Sequence, residues 1–229
     1  MPNTGKIAWD AVGEHFYENG VDRGVFYEYD TTNHVYTNGV AWNGLTAVNE
    51  QPSGAEPSPL YADNIKYLNL MSAETYGATI EAYYAPDEFM ECDGFVSLTD
   101  GVIIGQQPRK IFGFSYRTMI GSDTEGIKKG YKIHLVYNCQ ASPSEKSHST
   151  INESPEASTM SWSISTTPVD VTNQSPTATL EIDTTKLTDN QKKAIEDVLY
   201  GKDASGQDAA TTPRMPLPAE VAQIISTAT

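Results

Sequence analysis

Hydrophobic and polar residues alternate along several short stretches of the chain, and a period of two residues is typical of strands with one buried face. In the clearest stretch, residues 131–137, four side chains share one face: Tyr131, Ile133, Leu135 and Tyr137. The other face carries Lys132 and His134. Further strands are predicted in six segments: 25–29, 79–84, 112–116, 160–166, 169–171 and 178–182. The pattern predicts an all-β dominated fold built on an antiparallel sheet with one side facing solvent.

Helical signals are few. The best lies in residues 188–200, where Thr188 and Gln191 have the spacing of a capping box. One apolar stripe follows, formed by Ile195, Val198 and Leu199. Residues 86–92 open with a proline and two acids, which suits the first turn of another helix. We therefore expect one flanking α-helix beside the strands, with a short helix at 86–92.

Two long segments interrupt the pattern. Residues 49–66 contain three prolines and many small polar residues, so we predict a long exposed loop between strands, of a length that is usually functional or disordered. Residues 201–218 are predicted to be a semi-extended, unpacked linker.

The segment after that linker is too short to hold a helix alone in water. Its apolar side chains are Val221, Ile224 and Ile225. It must dock on this domain, dock on a neighbouring copy, or remain disordered. The predicted organisation is a β-domain over residues 1–200, followed by a linker and C-terminal docking arm over 201–229.

Charge and composition narrow the classes of function. The 229 residues include 15 Lys and Arg against 30 Asp and Glu, a net charge of −15, which argues against tight binding of nucleic acid. The chain has no run of 18 apolar residues and no basic, then apolar, N-terminal pattern, so neither a membrane span nor a secretory signal is expected. Cys92 and Cys139 are predicted to be free thiols.

Motifs for catalysis, metal binding or phosphate binding do not occur in the sequence. His134, on the polar face of a strand, is predicted to be solvated rather than a ligand. The acidic pairs Asp87/Glu88 and Glu91/Asp93 are predicted to be helix-start charges and a solvated face. The sequence therefore predicts a protein that is not an enzyme, with no catalytic residue, metal or cofactor.

Aromatic residues are plentiful, with 13 tyrosines, six phenylalanines and three tryptophans. Tyrosine joins a large apolar body to a polar tip and is enriched where protein surfaces meet. Tyr83 and Tyr84 are predicted to be ordinary core residues. For Tyr61, within the long loop, the core and a contact surface are both open.

Several ordered strings of residues resemble one protein family. They are Gly20-Val21-Asp22-Arg23-Gly24-Val25, Gly39-Val40-Ala41-Trp42-Asn43-Gly44-Leu45, Tyr61-Ala62-Asp63-Asn64-Ile65-Lys66-Tyr67, Ala78-Thr79-Ile80-Glu81-Ala82-Tyr83, Phe112-Gly113-Phe114-Ser115-Tyr116-Arg117, Ser161-Trp162, Thr166-Thr167-Pro168-Val169 and Leu217-Pro218-Ala219-Glu220-Val221. These strings, spread mainly over residues 20–200, are similar to the major tail (tail tube) proteins of long-tailed, non-contractile bacteriophages.

The resemblance implies a β-sandwich or barrel whose copies form hexameric rings that stack into a hollow tube. It implies that the long loop bridges subunits or rings. With the docking arm, this gives a predicted subunit or ring interface of Tyr61, Asp63, Asn64, Lys66, Tyr67, Val221, Ile224 and Ile225. No enzymatic residues are implied.

The partners implied are further copies of the chain, the tape measure, terminator and distal tail proteins, and double-stranded DNA that passes without specific binding. The implied location is the tail of the virion, after synthesis in the cytoplasm of the host bacterium, without contact with a membrane. Six copies of net charge −15 carry −90 in total, and like charge keeps a passing duplex away from the wall.

Two other classes of function fit parts of the sequence. A carbohydrate-binding β-sandwich adhesion module would use exposed Tyr and Trp side chains, with Trp42 as the residue to test. A hydrolase would require a facing pair of carboxylates. Neither has a motif of its own here.

Overall fold

The structure, a computed structural model, describes residues 5, 7, 9–146, 148, 150, 157–205 and 209–228. Strands dominate these residues: β1 (Phe16–Asp30), β2 (Val35–Trp42), β3 (Leu45–Glu50), β4 (Ser53–Gly54), β5 (Pro57–Ala62), β6 (Ile65–Met71), β7 (Glu74–Thr75), β8 (Gly77–Ala82), β9 (Val96–Thr99), β10 (Val102–Ile104), β11 (Phe112–Ser122), β12 (Gly126–Ala141), β13 (Met160–Thr166) and β14 (Thr179–Asp183). Two α-helices follow, α1 (Asp189–Leu199) and α2 (Pro218–Thr227). The prediction of an all-β dominated fold with a flanking helix is confirmed.

The main sheet is antiparallel, with eight strands in the order β2-β1-β11-β12-β13-β8-β3 and with β14 also paired to β12. The strands at the two ends of this order, β2 and β3, are joined by the tight turn Asn43–Gly44. Gly44 supplies the positive φ of 77° that the turn needs. The direct link draws the two ends together, so the sheet rolls into a barrel.

An aromatic core fills the inside of the barrel. Phe89, on a short 3₁₀ helix at Asp87–Glu91, closes one end and packs against Trp42 with ring centroids 4.7 Å apart. The buried aromatic residues around it are Phe26, Phe112, Phe114, Tyr116 and Trp162. Phe112, Phe114, Tyr116 and Trp162 come from the alternating faces predicted from the sequence. Residues 86–92 form this 3₁₀ turn rather than an α-helix.

A second core lies on the outer face of the sheet, under the two helices. Thr188 and Gln191 form the predicted capping box at the start of α1, and Ile195 and Leu199 are fully buried. They pack against the predicted apolar face of β12, which supplies Ile133, Leu135 and Tyr137. Both faces of the central strands are therefore covered, and the prediction of one solvent-facing side is wrong there because helices and the arm cover the outer face.

The C-terminal arm packs on this domain. Met215 is buried and pairs with Tyr36 of β2, and the Gly39 N–H donates to the Pro213 carbonyl at 3.1 Å. The prediction of an unpacked linker is wrong for this part, because residues 211–215 cover the outer edge of β2. Val221 on α2 is buried in the same outer core. Residues 206–208 and 229 of the arm lie outside the described residues.

Two other strand predictions need correction. Residues 169–171 form no strand, and Val169 makes only a single bridge to Thr177. Tyr83 and Tyr84 lie beyond the end of β8 and are exposed rather than core residues.

No helix within the described residues is both long and apolar enough to cross a membrane.

Candidate functional site

The segment predicted as a long loop is a β-hairpin that projects from the barrel. β3 continues to Glu50, β4 and β7 pair at the base, and β5 and β6 pair further out. The tip is Asp63–Asn64, with φ values of 51° and 66°, the left-handed region that a two-residue hairpin turn requires. The prediction of an irregular loop is wrong because a strand pair continues on both sides of this turn.

Both faces of the β5–β6 hairpin are apolar and exposed. Residues on one strand alternate between faces, so Leu68 and Leu70 share one face with Leu60, their neighbour on β5. The opposite face carries Tyr61 and Met71, and Tyr67 lies at the bulge between Lys66 and Leu68. Tyr67 is 70% exposed and Met71 68%. A hairpin that served only one contact would keep a polar face towards water, so this one is suited to lie between two neighbours.

The two outer edges of the hairpin differ. β5 carries Pro57 and Pro59, which have no backbone N–H and prevent a further strand from pairing there. β6 has no proline, and its outer N–H and C=O groups are open to a further strand. An isolated pair of strands is marginally stable in water, and a third strand or a covering surface stabilises it.

The predicted interface residues fall into two groups. Tyr61, Asp63, Asn64, Lys66 and Tyr67 lie together on the hairpin and are exposed. The second group lies on α2, against α1 and the outer core: Val221, Ile224 and Ile225. Val221 is 3% exposed, so intramolecular packing already uses its surface. The structure does not bring the two groups together, and their roles as subunit contacts stay predictions.

A second exposed hairpin was missed in the sequence. β9 and β10 pair around the turn Asp100–Gly101, and Gly101 has a φ of 77°. Four apolar side chains on these strands are exposed: Leu98, Val102, Ile103 and Ile104. The Asp-Gly pair between β-branched residues is a strong signal for a hairpin and could have identified it.

His134 lies in a cluster of charged groups and is not solvated as predicted. Its ring stacks on Tyr116 with centroids 4.5 Å apart, and its side chain is 12% exposed. The nearest carboxylates are 3.7–4.0 Å from the ring nitrogens and belong to Glu18, Glu50 and Glu181. Burial lowers the pKa of His134 below 6.5, although these carboxylates oppose the shift.

Asp93 also differs from its predicted solvated position. It is buried and forms ion pairs with Arg109 at 3.3 Å and Lys146 at 2.6 Å. Lys146 in turn lies over the ring of Phe95. The pairing satisfies the buried carboxylate and ties the base of the β9–β10 hairpin to the end of β12.

A groove of about 420 Å³ lies beside the start of β1, with an apolar floor and lysines at its rim. Each lysine pairs with a carboxylate: Lys129 with Glu125, Lys132 with Glu18 and Glu181, and Lys186 with Asp183. The rim therefore offers no unpaired lysine to an anionic ligand.

In the part of the chain that the structure describes, no group of three His, Cys, Asp or Glu side chains is placed to hold a metal ion.

The two cysteines are free, as predicted, and both are buried. Burial raises the pKa of the Cys92 thiol to about 12 and also raises that of Cys139. Both thiols are therefore inert at neutral pH.

No protein-family model matches this chain, and no curated protein is significantly similar to it. The similarity to tail tube proteins therefore depends on the residue strings given above.

Proposed function

We propose that this chain is a structural subunit of a bacteriophage tail tube, in which rings of six copies stack into a hollow conduit for DNA. The observation that carries the proposal is the β5–β6 hairpin, which has two exposed apolar faces and one open edge. A surface of this kind is costly to leave in water and is typical of an assembly contact. Tyr67 and Lys66 lie on it, where the family resemblance places the bridging segment.

The charge of the chain is compatible with this role. A conduit that gripped phosphate with Lys and Arg would retard the duplex, whereas a net charge of −15 per copy repels it. We propose that the chain acts without catalysis or cofactor, in the tail of the virion, after synthesis in the host cytoplasm. Its further partners are the tape measure, terminator and distal tail proteins.

The alternative of a carbohydrate-binding module has less support. Trp42 is 2% exposed and its indole N–H donates to the Tyr84 carbonyl at 2.9 Å, so it cannot stack on a sugar ring. Trp162 is also buried. The exposed aromatic residues of the hairpin, Tyr61 and Tyr67, are accounted for by the assembly contact.

Electron microscopy of the purified protein tests the proposal. We expect rings or tubes at high concentration, and we expect Tyr67→Ser combined with Met71→Ser to abolish them because it removes two of the most exposed apolar side chains of the hairpin. The melting temperature of the monomer should change by no more than about 2 °C, since exposed positions contribute little to the core. Val12→Ser, at an exposed apolar residue outside both hairpins, is the matched control and should assemble normally. A wild-type protein that stays monomeric at every concentration contradicts the proposal.

A further inference from the structure

The two exposed hairpins leave the barrel at opposite ends. β3 and β11 run in the same direction, because four antiparallel steps separate them in the sheet. The β5–β6 hairpin follows the end of β3, after Glu50, whereas the β9–β10 hairpin precedes the start of β11 at Phe112. The tip Asp63–Asn64 and the tip Asp100–Gly101 therefore point away from each other on one copy. When two copies stack in the same orientation, these tips face each other.

The β5–β6 hairpin is long enough to reach a neighbouring copy. Asp63 lies 13 positions beyond Glu50, which is at most about 40 Å at ~3.3 Å per strand residue. A compact chain of this length has a diameter of about 45 Å. Gly54 and Ala55, with φ values of 86° and 54°, interrupt the extended backbone, so this length is the upper limit of the reach of the hairpin beyond the barrel.

The two hairpins match in exposed apolar surface, and the β9–β10 hairpin carries little charge. Both carry exposed aliphatic side chains, and β6 offers an open edge to a further strand. Residues 51–76 carry Lys66 and three acids, Glu56, Asp63 and Glu74, whereas Asp100 is the only charged residue in 94–105. Within the residues described, neither Lys66 nor Asp100 has an ion-pair partner of its own. The rest of the chain is strongly acidic, and acidic surfaces of two copies repel each other. The β9–β10 hairpin, with Asp100 as its single acid, is therefore repelled less than most of the surface.

We propose that the β5–β6 hairpin of one copy docks on the β9–β10 hairpin of the next copy, with β6 as the strand in contact. This inference rests on the proposed function, since it names the surface that receives the hairpin. The contact joins two different surfaces, so it repeats in one direction without closing as a two-fold dimer. The β9–β10 hairpin gains the covering surface that its four exposed aliphatic residues lack.

Site-directed cross-linking tests the contact. Asn69→Cys on β6 and Thr99→Cys on β9 are introduced in separate copies of different mass, which are mixed, assembled and treated with a short bis-maleimide. Both positions are exposed, and the native thiols are too deeply buried to react. We expect a cross-linked pair that contains one copy of each kind. Asn69→Cys mixed with Ser175→Cys, another exposed position, is the control and should give at least tenfold less product.

The outcomes separate the two proposals. Tubes that form without the mixed product, or that give only Asn69→Cys pairs, overturn the docking and leave the proposed function in place. Absence of both assemblies and cross-links overturns both. Circular dichroism of each variant checks that the fold is kept. As a second measurement, Ile103→Ser in an otherwise unmodified chain should reduce assembly at least tenfold, and unchanged assembly also overturns the docking.

Discussion

His134 shows how a single buried side chain makes stability depend on pH. Its imidazole is enclosed by Tyr116, by a hydrogen bond to Thr118 and by three carboxylates, and Lys132 pairs with two of these. The pKa of His134 is lowered in the folded state, first by burial, whereas the carboxylates Glu181, Glu50 and Glu18 act in the opposite direction. The folded protein therefore binds this proton less readily than the unfolded chain does.

We expect the contribution of His134 to lower the free energy of unfolding as the pH drops below 7, through 6.5 and down to the lowered pKa of His134. In that window the unfolded chain takes up a proton that the folded chain does not. His134→Gln should flatten this part of the profile, as measured by urea denaturation at several pH values. A profile in which wild type and His134→Gln run parallel contradicts the prediction.

Side-chain positions were predictable where neighbours in sequence decide them. The alternation in residues 131–137 placed Ile133 and Leu135 correctly, because the period of a strand depends only on local geometry. His134 and Asp93 were placed wrongly, because their burial depends on charged groups from other parts of the chain. Tyr83 was also placed wrongly, since it lies just past the end of β8, where the alternation no longer applies.

The C-terminal arm acts as a strap across β2 and the outer core. Its backbone pairs with Tyr36 and Gly39, and Met215 fills a site between β2 and the helices. Covering the outer edge of β2 removes a row of open N–H and C=O groups, which would otherwise pair with another chain.

Met215→Ala should destabilise the monomer by about 2–5 kcal/mol, because it leaves a cavity in a buried site. Urea denaturation at low protein concentration measures this. Leu217→Ala, two residues further along and 37% exposed, is the matched control and should cost less than about 1 kcal/mol. Equal, small effects of both variants would mean that the arm does not belong to this core in solution.

Elements with strong local signals were predictable, and those that depend on pairing were not. The capping box of Thr188 and Gln191 defines the start of α1 from the sequence alone. The order of strands in the barrel has no local signal, since it depends on pairings between strands that are far apart in sequence, such as β1 with β11 and β8 with β13. The hairpins fall between these cases: their turns have recognisable residues, but the prolines in residues 49–66 suggested an irregular loop.

The charge of the complete chain opposes assembly at low salt. Copies of net charge −15 repel one another over a Debye length of about 30 Å at 0.01 M salt, which shortens to about 8 Å at 0.15 M. The apolar hairpin contact is insensitive to this screening. We therefore expect the assembled fraction to rise at least several-fold over this range, as measured by sedimentation. Sucrose at matched osmolarity is the control and should have a smaller effect. Assemblies that dissolve as salt rises would instead indicate a contact held by ion pairs.

The placement of the two hairpins at opposite ends of the barrel gives any filament built through them a polarity. One terminus presents only free β5–β6 hairpins, and the other presents only free β9–β10 hairpins. The two termini are chemically distinct, so they elongate at different rates and no single capping factor can fit both. An initiator that mimics one hairpin would thereby set the direction of growth for every later subunit.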